Sequence, residues 1–317
     1  MVTWRVESRV GHSMRCTIRR DVSTISARAG TPKSLRNYAG AMPGWFVHWL
    51  HTHRGYTVKS IEPAKLESAP GLVRKVADFW TRNVNAERIM GRSVSEHERG
   101  SETYFAELET QRYRSHRHLP GWIASMRPGS QVLEIGCGIG LDSARMAQHG
   151  LHVTAVDLTV VGPVTASRRA QERHLDATYL CSDAEHLPFP DAVFDYVYSF
   201  GVMHHAPDTQ RCVDEAYRVL RPGGQALIML YHRHSLNEAV HRMLRVPFEE
   251  RDELCPVVRR YTVSEIRAMF SRFSKVEVRA DFVFGEGYGS LFRWTPLPVY
   301  RLLSRWLGWH LMIRATR

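Results

Sequence analysis

No stretch of the 317-residue chain holds eighteen apolar residues in a row, so nothing in it reads as a membrane span. The start lacks the apolar core of a secretory signal. Cysteine is scarce: Cys16, Cys137, Cys181, Cys212 and Cys255 are odd in number and far apart, with no C-x-x-C pair. This argues against a disulfide framework or a structural zinc site and fits a reducing, cytoplasmic compartment. Acidic residues are nearly missing from residues 1–60, where Glu7 and Asp21 face ten basic side chains. That segment therefore carries +8 of the formal net charge of +11, leaving +3 for the other 257 residues. A body so nearly balanced is a weak attractor of phosphates, and a nucleic-acid partner is not expected.

The chain divides by pattern. Residues 1–58, rich in Arg, Ser and Thr, read as a basic, disordered or non-native extension; an organelle transit peptide, and with it an organelle matrix, is the alternative. Residues 59–122 read as a helical cap or lid. "SAPGLVRKVADFW" predicts a helix with Leu72, Val76 and Phe79 or Trp80 on one face. "SETYFAELETQRYRSH" predicts another, N-capped by Ser101, with Tyr104, Phe105 and Leu108 at helical spacing. Its aromatics, Tyr104 and Tyr113 among them, either fill a core or face a ligand.

Residues 123–317 alternate strand and helix. "QVLEIGCGIG", "LHVTAVD", "DATYLCSD", "VFDYVYSF" and "QALIMLY" are five strands, and "DTQRCVDEAYRVL" is a helix that Asp208 begins and "RPGG" stops. "KVEVRADFVF" is a sixth strand and "WHLMIRAT" the last. Such alternation means an α/β fold with a parallel sheet covered on both faces. The connection 232–260 is long enough to be a lid insertion. Leu302, Leu303, Trp306 and Leu307 stand near helical spacing and are expected to pack against the sheet; a membrane-surface helix between flanking arginines is the alternative, and no membrane partner is expected.

Gly136, Gly138 and Gly140 follow the first of these strands, and Asp157 ends the next, 21 positions after Gly136. A glycine turn between strand and helix lets a ligand approach the backbone, and a carboxylate at the second strand end holds ribose hydroxyls. The spacing is G-x-G-x-G; the dinucleotide fingerprint would need glycine at Leu141. Asp183, beside Leu187 and Phe189, suits an adenine amino group next to an apolar slot.

Together "VLEIGCGIG", "VDLT", "SDAEHLPFPDAVFDYVYSFGVMHH" and "RVLRPGG" resemble class I S-adenosylmethionine-dependent methyltransferases, in particular the small-molecule branch that includes ubiquinone- and menaquinone-biosynthesis enzymes. The resemblance is strong over about residues 130–231 and implies a Rossmann-like, seven-stranded, mostly parallel sheet with helices on both faces, preceded by an N-terminal helical cap. It implies S-adenosylmethionine as cofactor and S-adenosylhomocysteine as product. Gly136, Cys137, Gly138 and Gly140 would run along the methionine portion, with Glu134 supporting its amino group. Asp157 and Leu158 would meet the ribose, Asp183 and Ala184 the adenine, and Phe200 and Gly201 the methyl-transfer end.

His204 and His205 follow the fourth strand, and Tyr231 and His232 the fifth, so all four are expected near the acceptor. Either member of the pair serves as an acid or base, lines the pocket, or packs the loop. No carboxylate cluster accompanies them, so no metal is expected. The function implied is methyl transfer to O, N or C of a small, aromatic or apolar molecule. The alternatives are an RNA or DNA methyltransferase, although the strand-end tetrapeptide of base-amine methyltransferases is absent from "SFGVMHH", and a non-catalytic binder of the cofactor.

Overall fold

The computed structural model describes residues 2–7, 13–18, 71–83, 97–245, 254–285 and 288–317. Most of the segment 1–58 and residues 246–253 of the 232–260 connection lie outside the described residues. Within the first segment, β1 (Val2–Glu7) pairs antiparallel with β2 (Ser13–Ile18).

The main sheet has seven strands: β3 (Gln131–Ile135), β4 (His152–Asp157), β5 (Ala177–Cys181), β6 (Phe194–Phe200), β7 (Leu220–Tyr231), β8 (Lys275–Asp281) and β9 (His310–Thr316). Their order is β5-β4-β3-β6-β7-β9-β8. The first five are mutually parallel, and β9 runs antiparallel between β7 and β8. Val132 to Ile135 and Val153 to Val156 are buried without a break, as expected of strands covered on both faces. Edge strand β8 instead alternates exposed and half-buried positions. The chain leaves β3 toward β4 on one side, while β6 lies on the other. That change of direction opens a crevice beyond the carboxyl ends of β3 and β6, where open α/β sheets bind ligands.

The covering helices are α1 (Gly71–Arg82), α2 (Glu102–Ser115), α3 (Leu119–Ala124), α4 (Leu141–Gln148), α5 (Val161–Glu172), α6 (Thr209–Val219), α7 (Leu236–Leu244), α8 (Val263–Met269), α9 (Ser290–Trp294) and α10 (Leu297–Leu307). Ser101 caps α2 by accepting from Tyr104 N, and Asp208 caps α6 by accepting from Arg211 N. Two apolar layers result. One packs Leu133, Val197 and Ile228 with Val213, Ile266 and Phe270; the other packs Val132, Val153 and Leu227 with Ile123 and Met146.

Three expectations need correction. In α1 the buried stripe is Val73, Val76, Ala77 and Phe79, and Leu72 is exposed; the i, i+3, i+4 spacing centres the stripe one position later. Helix α6 does end before "RPGG", but those four residues already belong to the span of β7. In α10, Tyr300 and Ser304 face the body, because the Tyr300 hydroxyl donates to Phe284 O and Ser304 Oγ accepts from Val283 N. Leu302, Trp306 and Leu307 are turned outward.

Candidate active site

The cavity lies in the crevice beyond β3 and β6. Its floor is the turn after β3. Gly136 has φ +79°, and a Cβ there would sit 2.2 Å from Val202 Cγ2, so neither the backbone shape nor the space admits a side chain. Gly138, at φ +50°, would place its Cβ in open space, toward which a ligand can press. From behind, Gly162 of α5 touches the turn; a Cβ on it would lie 2.4 Å from Gly138 O.

Asp157 fastens this turn to β4. Its Oδ2 accepts from Gly138 N at 2.8 Å, and its Oδ1 accepts from Thr159 N and Oγ1, both at 2.8 Å. Burial raises its carboxyl, and these hydrogen bonds oppose the rise. Asp183, past the end of β5, accepts from Glu185 N at 2.9 Å and lies 3.5 Å from His186 Nδ1. Asp183, Glu185 and His186 bring one potential metal-ligand atom each within 4.8 Å of one another. Two carboxylate oxygens of that set are already engaged, by Glu185 N and Asp208 N.

Toward α2 the wall is charged. Asp142 pairs with Arg112 and accepts from the Tyr113 and Tyr198 hydroxyls at 3.1 and 2.8 Å. Burial would raise the Asp142 carboxyl, but Arg112 and these hydrogen bonds outweigh it and hold it low. Glu134 receives a hydrogen bond from the Ser143 hydroxyl. Burial, reinforced by Asp142, pushes its carboxyl up to about 8.

The opposite rim carries Phe200, Gly201, Val202, His205, Ala206 and Pro207, with Val73, Val76 and Trp80 of α1. His205 Nδ1 lies 2.7 Å from Val257 O. A carbonyl only accepts, so Nδ1 carries the proton and Nε2 holds the basic lone pair. The Trp80 ring meets the His205 ring edge-on, with centroids 4.8 Å apart.

Ten of the eleven residues expected at the cofactor line this cavity: Glu134, Gly136, Cys137, Gly138, Asp157, Leu158, Asp183, Ala184, Phe200 and Gly201. Gly140 does not. A Cβ there would lie 2.6 Å from Ala166 Cβ, so its left-handed conformation serves the packing of α5 on the start of α4.

The histidine pair separates. His205 lines the cavity, whereas His204 is fully buried, 3.7 Å between ring centroids from Tyr231. Neither ring nitrogen of His204 has a hydrogen-bond partner among the described residues. Burial, with His205 nearby, drives its pKa well down.

The four side chains expected along the acceptor lie elsewhere in this structure. Tyr104 is packed with Phe105, Leu108, Ile139 and Leu141, because α2 turns that stripe into a core. Tyr113 is spent on Asp142, Tyr231 stacks on Trp309 at 4.4 Å, and His232 Nδ1 bonds to Gly308 O at 2.9 Å. Conversely, Val73, Val76, Trp80, Arg112, Asp142 and Gly162 were not anticipated. Asp142, one residue into the helix after the glycine turn, had a positional signal; Arg112, thirty residues before its partner, had none.

Residues 133–228 match the model of a family described as a methyltransferase domain. Malonyl-[acyl-carrier protein] O-methyltransferase of Serratia marcescens is 32% identical over 157 residues, which cover 46% of this chain and 60% of that protein. The 27-O-demethylrifamycin SV methyltransferase of Amycolatopsis mediterranei is 39% identical over 110 residues, covering 32% and 38%. The chain thus spans less than two thirds of these relatives. In fold it is similar to phosphoethanolamine N-methyltransferase 2 of Haemonchus contortus, solved in complex with S-adenosyl-L-methionine: TM-score 0.50, 20% identity, 76% of this chain and 60% of that one. Residues 133–228 accordingly match a methyltransferase domain, and the chain shares the fold of that solved methyltransferase.

Proposed function

We propose that this protein transfers a methyl group from S-adenosylmethionine to a small apolar or aromatic molecule. The observation that carries the reading is the joining in one cavity of the glycine turn, Asp157 and Asp183 to an apolar rim that holds His205.

The donor set supports a cationic, ribose-bearing ligand. Arg112 neutralises Asp142, leaving the carboxyl groups of Glu134, Asp157 and Asp183 around the floor. A pyrophosphate would be repelled there, while an ammonium beside Glu134 would favour its ionised form, which burial now opposes. Gly136 and Gly138 would run along the methionine portion, Asp157 and Leu158 would hold the ribose, and Asp183 and Ala184 the adenine. When bound, S-adenosylmethionine supplies an electrophilic methyl group on a sulfonium.

The remaining work falls to the chain. Val73, Val76, Trp80, Phe200, Val202 and Pro207 exclude water and hold the acceptor near the reacting carbon, which alone contributes several kcal/mol. His205 Nε2 would take the proton of an acceptor hydroxyl or amine as its oxygen or nitrogen is methylated. His204 would support this loop without touching the acceptor.

The test supplies methyl-labelled S-adenosylmethionine to the purified protein with a small-molecule extract or with bulk RNA. Label in a small molecule is the expected result. Label in RNA would reassign the acceptor, and cofactor binding with no transfer to either would make the protein a binder.

A further inference from the structure

The outer face formed by α9 and α10 carries what a buried helix would turn inward. Trp294 and Trp306 are 77% and 75% exposed, and Leu291, Val299 and Leu302 are exposed with them. Val299, Leu302 and Trp306 follow one another at i, i+3 and i+7, which sets them on one side of α10. Scattered surface leucines need no explanation, but two outward tryptophans on consecutive helices, one of them in a stripe with Val299 and Leu302, do. The stripe does not stop at α10. Leu307 lines a shallow groove together with Met243, Arg233 and Arg242 at α7, and α7 buries none of its residues. Met243 and Leu244 are 74% and 61% exposed.

The unpaired charge of this face is positive. Residues 290–307, which span α9 and α10, contain three arginines and no aspartate or glutamate, in a body whose net charge is otherwise small. Arg293, Arg301 and Arg305 of α9 and α10, and Arg242 of α7, are exposed and form no salt bridge among the described residues. The one acid lining the groove, Glu238, is paired with Arg260 at 3.1 Å. Outward tryptophan and leucine, flanked by arginines without acidic partners, match the interface of an anionic bilayer: rings and aliphatic side chains enter the headgroup boundary while guanidinium groups meet lipid phosphates. The helices here are short, and among the described residues no helix is long and apolar enough to cross a membrane, so the contact is one of lying on the surface.

We propose that the face formed by α7, α9 and α10 docks on an anionic lipid surface. This goes beyond the methyl-transfer reading and does not depend on it. The experiment is flotation of the full chain with vesicles of phosphatidylcholine alone, or with phosphatidylglycerol added, at low and high salt. Each is repeated with Trp294→Ser/Trp306→Ser and with Arg301→Gln/Arg305→Gln, after circular dichroism has shown both variants folded. The wild type is expected to bind only the phosphatidylglycerol vesicles, to lose binding as salt rises, and to bind at least tenfold more weakly in either double variant. Failure of the wild type to float with anionic vesicles would overturn the proposal, as would binding that neither double variant weakens. A protein dimer that Trp306→Ser dissolves, with no vesicle binding, would assign the face to a second copy of the chain instead.

Discussion

The floor of the cavity is made by backbone and its rim by side-chain packing. At the floor, Gly136 and Gly162 allow close packing and Gly138 faces open space, while Asp157 holds the turn by accepting from two backbone N–H groups and one hydroxyl. At the rim, Trp80, Arg112 and His205 come from elements far apart in the chain. They are fixed by an ion pair, a ring contact and one carbonyl. The contrast teaches where each kind of specificity resides. A backbone floor tolerates almost no change of shape, whereas a packed rim can be rebuilt to suit another acceptor.

The largest effect is expected where a buried charge loses its partner. Arg112→Met would leave the Asp142 carboxylate alone in the wall and cost about 3–5 kcal/mol, read as a lowered midpoint in chemical denaturation. Arg112→Met/Asp142→Leu should recover part of that loss. The rim is sharpened next by treating His205 and its buried neighbour His204 separately. His205→Gln should lower kcat about a hundredfold, while His204→Gln should leave kcat near the wild-type value and lower stability instead. Equal kcat losses for the two would erase the distinction drawn between them.

At the floor, Gly162→Ala would press a methyl against Gly138 O. An overpacked contact of this kind costs about 1–3 kcal/mol, and cofactor affinity should fall by about tenfold with the rim unchanged. The smallest effect, residue by residue, concerns pH. Burial pushes His116 down to about 3 and His118 to about 4, and pushes His204 and His310 down as well. These rings stay neutral in the folded protein while unfolded histidine takes a proton near pH 6.5. Stability is therefore full above about pH 6.5 and declines as pH falls toward 4. Each such histidine should account for about 0.7 kcal/mol of loss between pH 7 and pH 6. His116→Phe should remove about that share of the slope in denaturation midpoints.

The floor was legible in the sequence because its parts follow one another: a buried strand, glycines at fixed offsets, then an acid at the end of the next strand. The seven-strand sheet was legible for the same reason, since short strand-like runs, several of them apolar throughout, alternate with helical stretches. Gly162 was not legible. It sits beside Pro163, and the pair resembles a turn; in the structure Pro163 lies in the first turn of α5, where its missing N–H has no helical partner to lose. The rim was legible only in outline. Tyr104 and Tyr113 share a helix with Arg112, and nothing in their spacing shows that the arginine, not the tyrosines, reaches the cavity. The same limit applies to α10, whose apolar positions were visible but whose outward rotation is set by Tyr300 and Ser304.

On the proposed reading, the floor holds S-adenosylmethionine or its product through Asp157. Titration calorimetry with S-adenosylhomocysteine, on the wild type and on Asp157→Ala, decides this. One-to-one binding is predicted for the wild type, weakened about tenfold or more in the variant by loss of charge-assisted hydrogen bonds. No binding to the wild type, or equal affinity for both proteins, would contradict it.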